Sequence, residues 1–409
     1  MKSKVKNISE GFQEVLGQYL TAPDVKLFFR KISALTPVVE QQENQLKGAA
    51  AYNAANSPRF RFEVDQAITF AERKLELEQY LELLGSLGSL SIAHGEVSLA
   101  TDISNKMLGI VKNDERFANI TAYTFFNFAE IYSRQAMWKE SQDYVKKAIS
   151  LFQKQGDSAG LAKSENLFGT IYASRGYLKS AKNHFHKGLG VIDQVKEKAI
   201  VALIENNLGI VCNIEGGYDE AYSYFRRALT YFEGIKDYKH IAEIRHNLGM
   251  VFMQKKEYEN ALKEYDSSIN VSITARYFPT LAISYVSKSY IYCEVNDYAL
   301  ANAFADKGME ISYKINDKLT IAEIYKIKGI IERKNKHFEA SENYFFSSLR
   351  LNKEFDNELN YAETAVELAV LYKNNGKNEE AENYFGEALS FYRKIKALPE
   401  IEKIKLRMA

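Results

Sequence analysis

The sequence predicts an all-α fold of stacked antiparallel helix pairs, and three observations carry the prediction. Small residues return every 40 positions, at Ser89, Ala129, Gly169, Gly209, Gly249, Ser289, Gly329 and Ala369. Twelve residues after each stands another small residue: Thr101, Ser141, Ala181, Ala221, Ala261, Ala301, Ser341 and Ala381. Sixteen after the anchor, from the second copy onward, lie Val145, Phe185, Phe225, Tyr265, Ala305, Phe345 and Phe385, a mostly aromatic row. A fixed period of this length makes the chain an additive array that needs no single large core. The second observation is that only five prolines interrupt 409 residues, and the third is an abundance of Tyr (27) and Phe (24) spaced for helical packing.

Before the regular lattice the spacing predicts four helices. Residues 8–20 place Phe12, Val15, Leu16 and Tyr19 on one face, and Pro23-Asp24 restarts a helix carrying Val25, Phe28, Phe29 and Ile32. Thr36-Pro37 opens a third helix to about Ala55, and Ser57-Pro58 opens a fourth by the same signal, a cap followed by proline at the first helical position. Ala49 and Tyr52 fall in repeat register, but Arg61 and Asp65 stand where a small and an aromatic residue belong. Residues 1–80 are therefore expected to cover the open end of the stack as a cap or bundle with one degenerate repeat, with a small effector module as the alternative. No turn residue marks a break near Glu76.

Residues 81–396 divide into eight 40-residue units of two helices, each about 17 residues long. Gly176-Tyr177, Gly216-Gly217-Tyr218, Asn296-Asp297-Tyr298 and Asn375-Gly376 separate the helices of a pair, and Gly156-Asp157, Lys236-Asp237, Asn316-Asp317 and Asp356-Asn357 separate the pairs. The small columns have a packing purpose: paired helices approach closely only where bulk is missing, and the partner's aromatic fills the space beside it. Trp138 shares its position with Tyr218, Tyr258, Tyr298 and Phe338 and reads as core. Residues 397–409 form a closing helix with Ile401, Ile404 and Met408 on one face.

A net charge of +1 with 26% charged residues supplies no cationic face, so no nucleic-acid partner is expected. Cys212 and Cys293 are too few for a disulfide framework, and no apolar run approaches membrane-spanning length; a cytoplasmic protein with no membrane partner is expected. There is no GxxxxGK[ST], HExxH or GxSxG, and His184 and His186 point to different helix faces, so no catalytic residue, metal or cofactor is expected.

The columns, with the NLG string at 207–209 and 247–249, resemble the tetratricopeptide repeat, in the 40-residue form of polarity scaffolds, kinesin light chains and bacterial peptide-sensing regulators of the Rap and PlcR kind. The resemblance implies a right-handed superhelix, a solenoid whose first helices line a concave groove and contact ligand from fixed columns. Those columns hold Asn127, Asn207 and Asn247 two before the anchor, Asn166 and Asn206 one residue earlier, Lys163 six before it, and Arg134 and Gln254 five after it. Amides donate and accept, so a row of them can pair with an extended peptide's backbone; the alternative is that they bond neighbouring helices and hold the stack. The basic clamp with which the family grips a chaperone's terminal carboxylate is missing. The expected function is a non-catalytic scaffold or adaptor capturing a protein or peptide ligand, an extended segment or a helix, in the groove. The alternative is a peptide-responsive regulator whose N-terminal helices act on a response regulator, with Gln41, Gln42 and Gln45 as candidates to orient water. A scaffold using its convex face is the third reading.

Overall fold

The computed structural model describes residues 8–33, 58–93, 96–111, 114–275 and 277–408. Every regular element among them is helical. The third N-terminal helix expected at 37–55, with Gln41, Gln42 and Gln45, lies outside the described residues. The chain divides into two compact units, one of Met1–Ser164 with Lys314–Asn316, the other of Glu165–Tyr313 with Asp317–Ala409.

In the first unit α1 (Ile8–Tyr19), α2 (22–33) and α3 (Pro58–Glu72) share one core with α4 (Leu77–Ala93) and α5 (Val97–Val111). Phe12 meets Phe28, Phe29 and Phe60 edge to face at 6.1 Å, the arrangement that the ring quadrupole favours, and Val64, Leu81, Leu84 and Leu87 close around them. The unmarked break falls at residues 73–76, between α3 and α4. A short 3-10 turn, Glu115–Phe117, leads into α6 (Ala118–Arg134), which pairs with α7 (Trp138–Gln155). Trp138 is buried.

Helix α8 (Ser158–Ser174) runs from the first unit into the second, which continues with α9 (Leu178–Gly190), α10 (Lys198–Glu215), α11 (Tyr218–Ile235), α12 (Tyr238–Gln254), α13 (Tyr258–Ala275), α14 (Phe278–Glu294), α15 (Tyr298–Lys314), α16 (Lys318–Lys334), α17 (Phe338–Glu354), α18 (Glu358–Asn374), α19 (Asn378–Ile395) and α20 (Leu398–Met408). Four of the pairs close where an anchor glycine meets the aromatic of its partner helix. A Cβ on Gly169 would stand 2.3 Å from the Phe185 ring, on Gly209 2.7 Å from Phe225, on Gly249 2.5 Å from Tyr265, and on Gly329 2.5 Å from Phe345. Three buried serines of the small columns donate across their pair to a backbone carbonyl: Ser141 to Ala129 (2.7 Å), Ser289 to Ala301 (2.6 Å) and Ser341 to Gly329 (2.7 Å). These bonds satisfy a polar group that would otherwise be costly to bury.

The breaks are as regular as the helices. Residues 136, 156, 176, 216, 236, 256, 296, 316, 336, 356, 376 and 396 all carry positive φ, at a spacing of 20 or a multiple of it. Glycine occupies four of these positions; Ala136, Lys236, Lys256, Asn296, Asn316, Lys336, Asp356 and Lys396 occupy the rest. At each break the following N–H reaches back to a carbonyl five residues earlier, as from Asp237 to Phe232 (3.0 Å), which completes a Schellman cap. Asp157, Asp237, Asp317 and Asn357 then cap the next helix by accepting from the N–H three residues on. The exception is α9, which stops at Gly190 after 13 residues; Gly188 and Gly190 weaken its last turn, and Val195 in the segment that follows is 76% exposed.

Candidate functional site

In the second unit the first helices of the pairs bury more than the second helices. Along α12 every residue is buried or half-buried, whereas α11 and α13 each carry an exposed outer stripe. The columns expected to meet a ligand share one face of each first helix, where buried and half-buried residues alternate with the packing.

On α8, α10 and α12 that face is built from amides. The Asn207 Nδ2 donates to Asn166 Oδ1 at 2.9 Å and to Thr170 Oγ1 at 3.3 Å; one repeat further on, the Asn247 Nδ2 donates to Asn206 Oδ1 at 2.9 Å. Four of the expected site residues are thus brought together, each bond running from one first helix to the next. Asn206 and Asn247 are buried; Asn166 and Asn207 are half-buried. Beside them His246 donates to or accepts from Ser284 Oγ at 3.1 Å, and burial pushes its pKa down to about 4, so it is neutral at pH 7.

On α16 and α18 the face is charged. Lys326 is buried between Glu323, 2.8 Å away, and Glu363. Burial opposes its charge, but the two carboxylates hold its proton above the ordinary lysine range, while burial raises the Glu323 carboxyl. Arg333 donates to both the side chain (2.6 Å) and the backbone carbonyl (2.8 Å) of Glu367. The other Glu367 oxygen accepts from Arg407 of α20 at 2.5 Å. Burial alone would raise the Glu367 carboxyl, yet the two guanidiniums override it and hold it at about 2.

Helix α20 lies against this face. Lys403 Nζ donates to Gln254 Oε1 at 3.0 Å, Pro399 sits on Gly216, and Lys373 Nζ donates to the carbonyls of Arg407 (3.1 Å) and Met408 (2.8 Å). Gln254, expected to meet a ligand, meets the chain's own helix. Ile401 and Ile404 are buried as expected, but Met408 is 39% exposed. The remaining expected residues belong to the first unit: Asn127 is buried, its Nδ2 3.7 Å from where a Cβ on Gly88 would stand; Lys163 places Nζ 5.6 Å from the centre of the Tyr123 ring; Arg134 is exposed at the end of α6. Sequence reasoning missed the role of Arg407, which lies three residues beyond Ile404 and so shares its helix face.

His184 pairs with Glu165 at 2.6 Å and stacks on Phe168 and Tyr172. Both cysteines are free and buried, with thiols pushed by burial up to about 11 (Cys212) and about 12 (Cys293). Among the described residues there is no cluster of His, Cys, Asp and Glu fit to hold a metal, and no helix is long and apolar enough to cross a membrane.

Residues 200–272 and 362–395 each match a family described as tetratricopeptide repeat. No curated protein sequence matches the chain. Three solved structures share its fold over nearly its whole length. A Rap protein complexed with competence and sporulation factor is 13% identical, with a TM-score of 0.65 over 94% of this chain and 99% of that one. The Rap conjugation gene regulator of the plasmid pLS20, in complex with the Phr* peptide, is 17% identical, with a TM-score of 0.59 over 97% and 99%. Aspartyl phosphate phosphatase F from Bacillus subtilis is 16% identical, with a TM-score of 0.54 over 96% and 95%. At these identities the likeness is one of fold.

Proposed function

We propose that this chain, built of tetratricopeptide repeats, is a non-catalytic peptide-binding adaptor that captures an extended segment along the first helices of its second unit. The observation that carries the reading is the amide row. Asn207 and Asn247 spend their Nδ2 groups on the amide oxygens of the preceding repeat, which leaves the Asn207 Oδ1 and the half-buried Asn166 Nδ2 to meet a peptide backbone. Packed helices stand roughly 8–10 Å apart. An extended chain advancing about 3.3 Å per residue therefore presents a backbone group to successive first helices at about every third residue. Support also comes from the likeness of fold to two proteins whose solved forms hold a signalling factor or peptide. The ligand's side chains would then be read by neighbours of the row, Glu243 and Met250 among them.

The test is selection from a random-sequence heptapeptide display library on the intact chain, repeated on Asn207→Ala with Asn247→Ala. Sequences enriched by the first and lost by the second, at equal helical content, support the reading. Equal enrichment by both assigns the asparagines to holding the stack.

A second reading is favoured by one observation: the likeness to the phosphatase extends over 96% of this chain and so takes in the helices that precede the repeats. Under it, peptide capture gates an action of those helices on a response regulator. Deleting residues 1–36 would leave peptide selection intact and abolish that action.

A further inference from the structure

Helix α20 does more than cover an apolar end. Two of its contacts fall on first-helix columns expected to meet a ligand, Gln254 through Lys403 and Glu367 through Arg407, and Lys373 beside them holds the carbonyls of Arg407 and Met408. Gln254 stands on α12 and Glu367 and Lys373 on α18, so the helix bridges first helices three repeats apart. Pro399 adds a contact at the turn between α10 and α11, over Gly216. This is the chemistry of a bound amphipathic helix. Ile401 and Ile404 supply the apolar face and Lys403 and Arg407, four apart, the cationic one, with Lys403 on Gln254 and Arg407 on the Glu367 carboxylate that Arg333 already orients.

The anchorage is slight. Ile401 and Ile404 are the buried side chains of α20, while Leu398 and Leu406 are 68% and 78% exposed. Eleven residues make a marginal helix once off a surface, and the link to α19 is Lys396 in the left-handed region followed by Ala397. A helix held by so few groups and joined through a strained residue is suited to leave.

We propose that the face formed by α12, α16 and α18 is a helix-docking seat, that α20 is its resident, and that an amphipathic partner helix enters by displacing it, with basic residues four apart and one of them opposite Glu367. The inference deepens the reading of the first-helix face as a binding surface and rests on it. Partner entry and seating of α20 then exclude each other, which makes α20 an internal competitor.

The experiment uses the full-length chain and a fluorescein-labelled peptide of residues 398–408, LPEIEKIKLRM, followed by anisotropy. Arg407→Ala frees the seat without altering it, so the peptide should bind that variant at least tenfold more tightly than the unaltered chain. Adding Glu367→Gln to Arg407→Ala should remove the gain. Hydrogen exchange should show the α20 amides opening at least tenfold faster in Arg407→Ala, with α18 and α19 unchanged. Ile404→Ser unseats the helix by its apolar face and should give the same two results if Arg407→Ala does not fold. Equal peptide binding by variant and unaltered chain overturns the proposal. So do α20 amides that exchange no faster in either variant, or an opened α20 with no peptide bound. Because the probe is the chain's own segment, a failed heptapeptide selection with the tenfold gain intact removes the amide row alone and leaves the seat.

Discussion

Gly209 and Phe225 show why the anchor column is small. One edge of the ring crowds the place where a Cβ would be, and the same holds at Gly169, Gly249 and Gly329. Where the anchor is larger the partner is smaller: Ala129 is matched by Val145 and Ser289 by Ala305. Ala369 with Phe385 departs from that exchange. Gly209→Ala gains helix propensity of roughly 0.5–1 kcal/mol but overpacks the pair at a cost of about 1–3 kcal/mol, so a net loss of stability is expected. In a Phe225→Val background the same substitution should be neutral or stabilising, with a coupling of roughly 0.5–3 kcal/mol in a urea-denaturation cycle. Additivity of the two substitutions would mean that the ring is not what keeps the anchor small. The period was legible at this scale because the constraint acts between residues sixteen apart in one pair, and every pair restates it.

The helices themselves were legible from apolar spacing, and their ends from Gly156, Gly176, Gly216 and Gly376. The ends at Ala136, Lys256 and Lys336 were not, because none of those side chains favours positive φ; there the Schellman bonds and the packing of the next helix impose the conformation. A residue so held is a reserve of strain. Ala136→Gly should raise stability by roughly 0.5–1 kcal/mol, since a left-handed L-residue costs about 1–2 kcal/mol and glycine returns part of that to the unfolded chain. The check is the midpoint of urea unfolding. An unchanged or lower midpoint would show that the turn carries no strain. The short α9 fits the same account, with two glycines where its neighbours keep a helical last turn.

An open array of repeats touches only its neighbours, and the second unit is not so limited. The turn between α8 and α9 meets α17 to α19: Arg175 pairs with Asp356 at 2.8 Å, Lys394 joins Glu358 at 2.9 Å and lies 4.5 Å over the Tyr177 ring, and Phe391 covers Gly176. Pairs this exposed are worth about 0–1 kcal/mol each, so their weight is in cooperativity rather than in total stability. Arg175→Ala with Phe391→Ala should broaden the unfolding transition of the intact chain, lowering its urea slope with a small change in midpoint. A transition of unchanged slope would show that the array unfolds as one without this closure.

The sequence by itself determined the all-α class, the period of forty, the small-and-aromatic packing of each pair and the asparagine row, because these are set by residues close in the chain and repeated along it. The tertiary structure decided which partners the row finds, Asn207 with Asn166 and Asn247 with Asn206, and that Arg407 reaches Glu367. It also decided that the turn at Gly176 meets Phe391, more than 200 residues away. The physical reason is that such contacts depend on the angle between successive pairs summed over several repeats. No single pair's residues encode that sum.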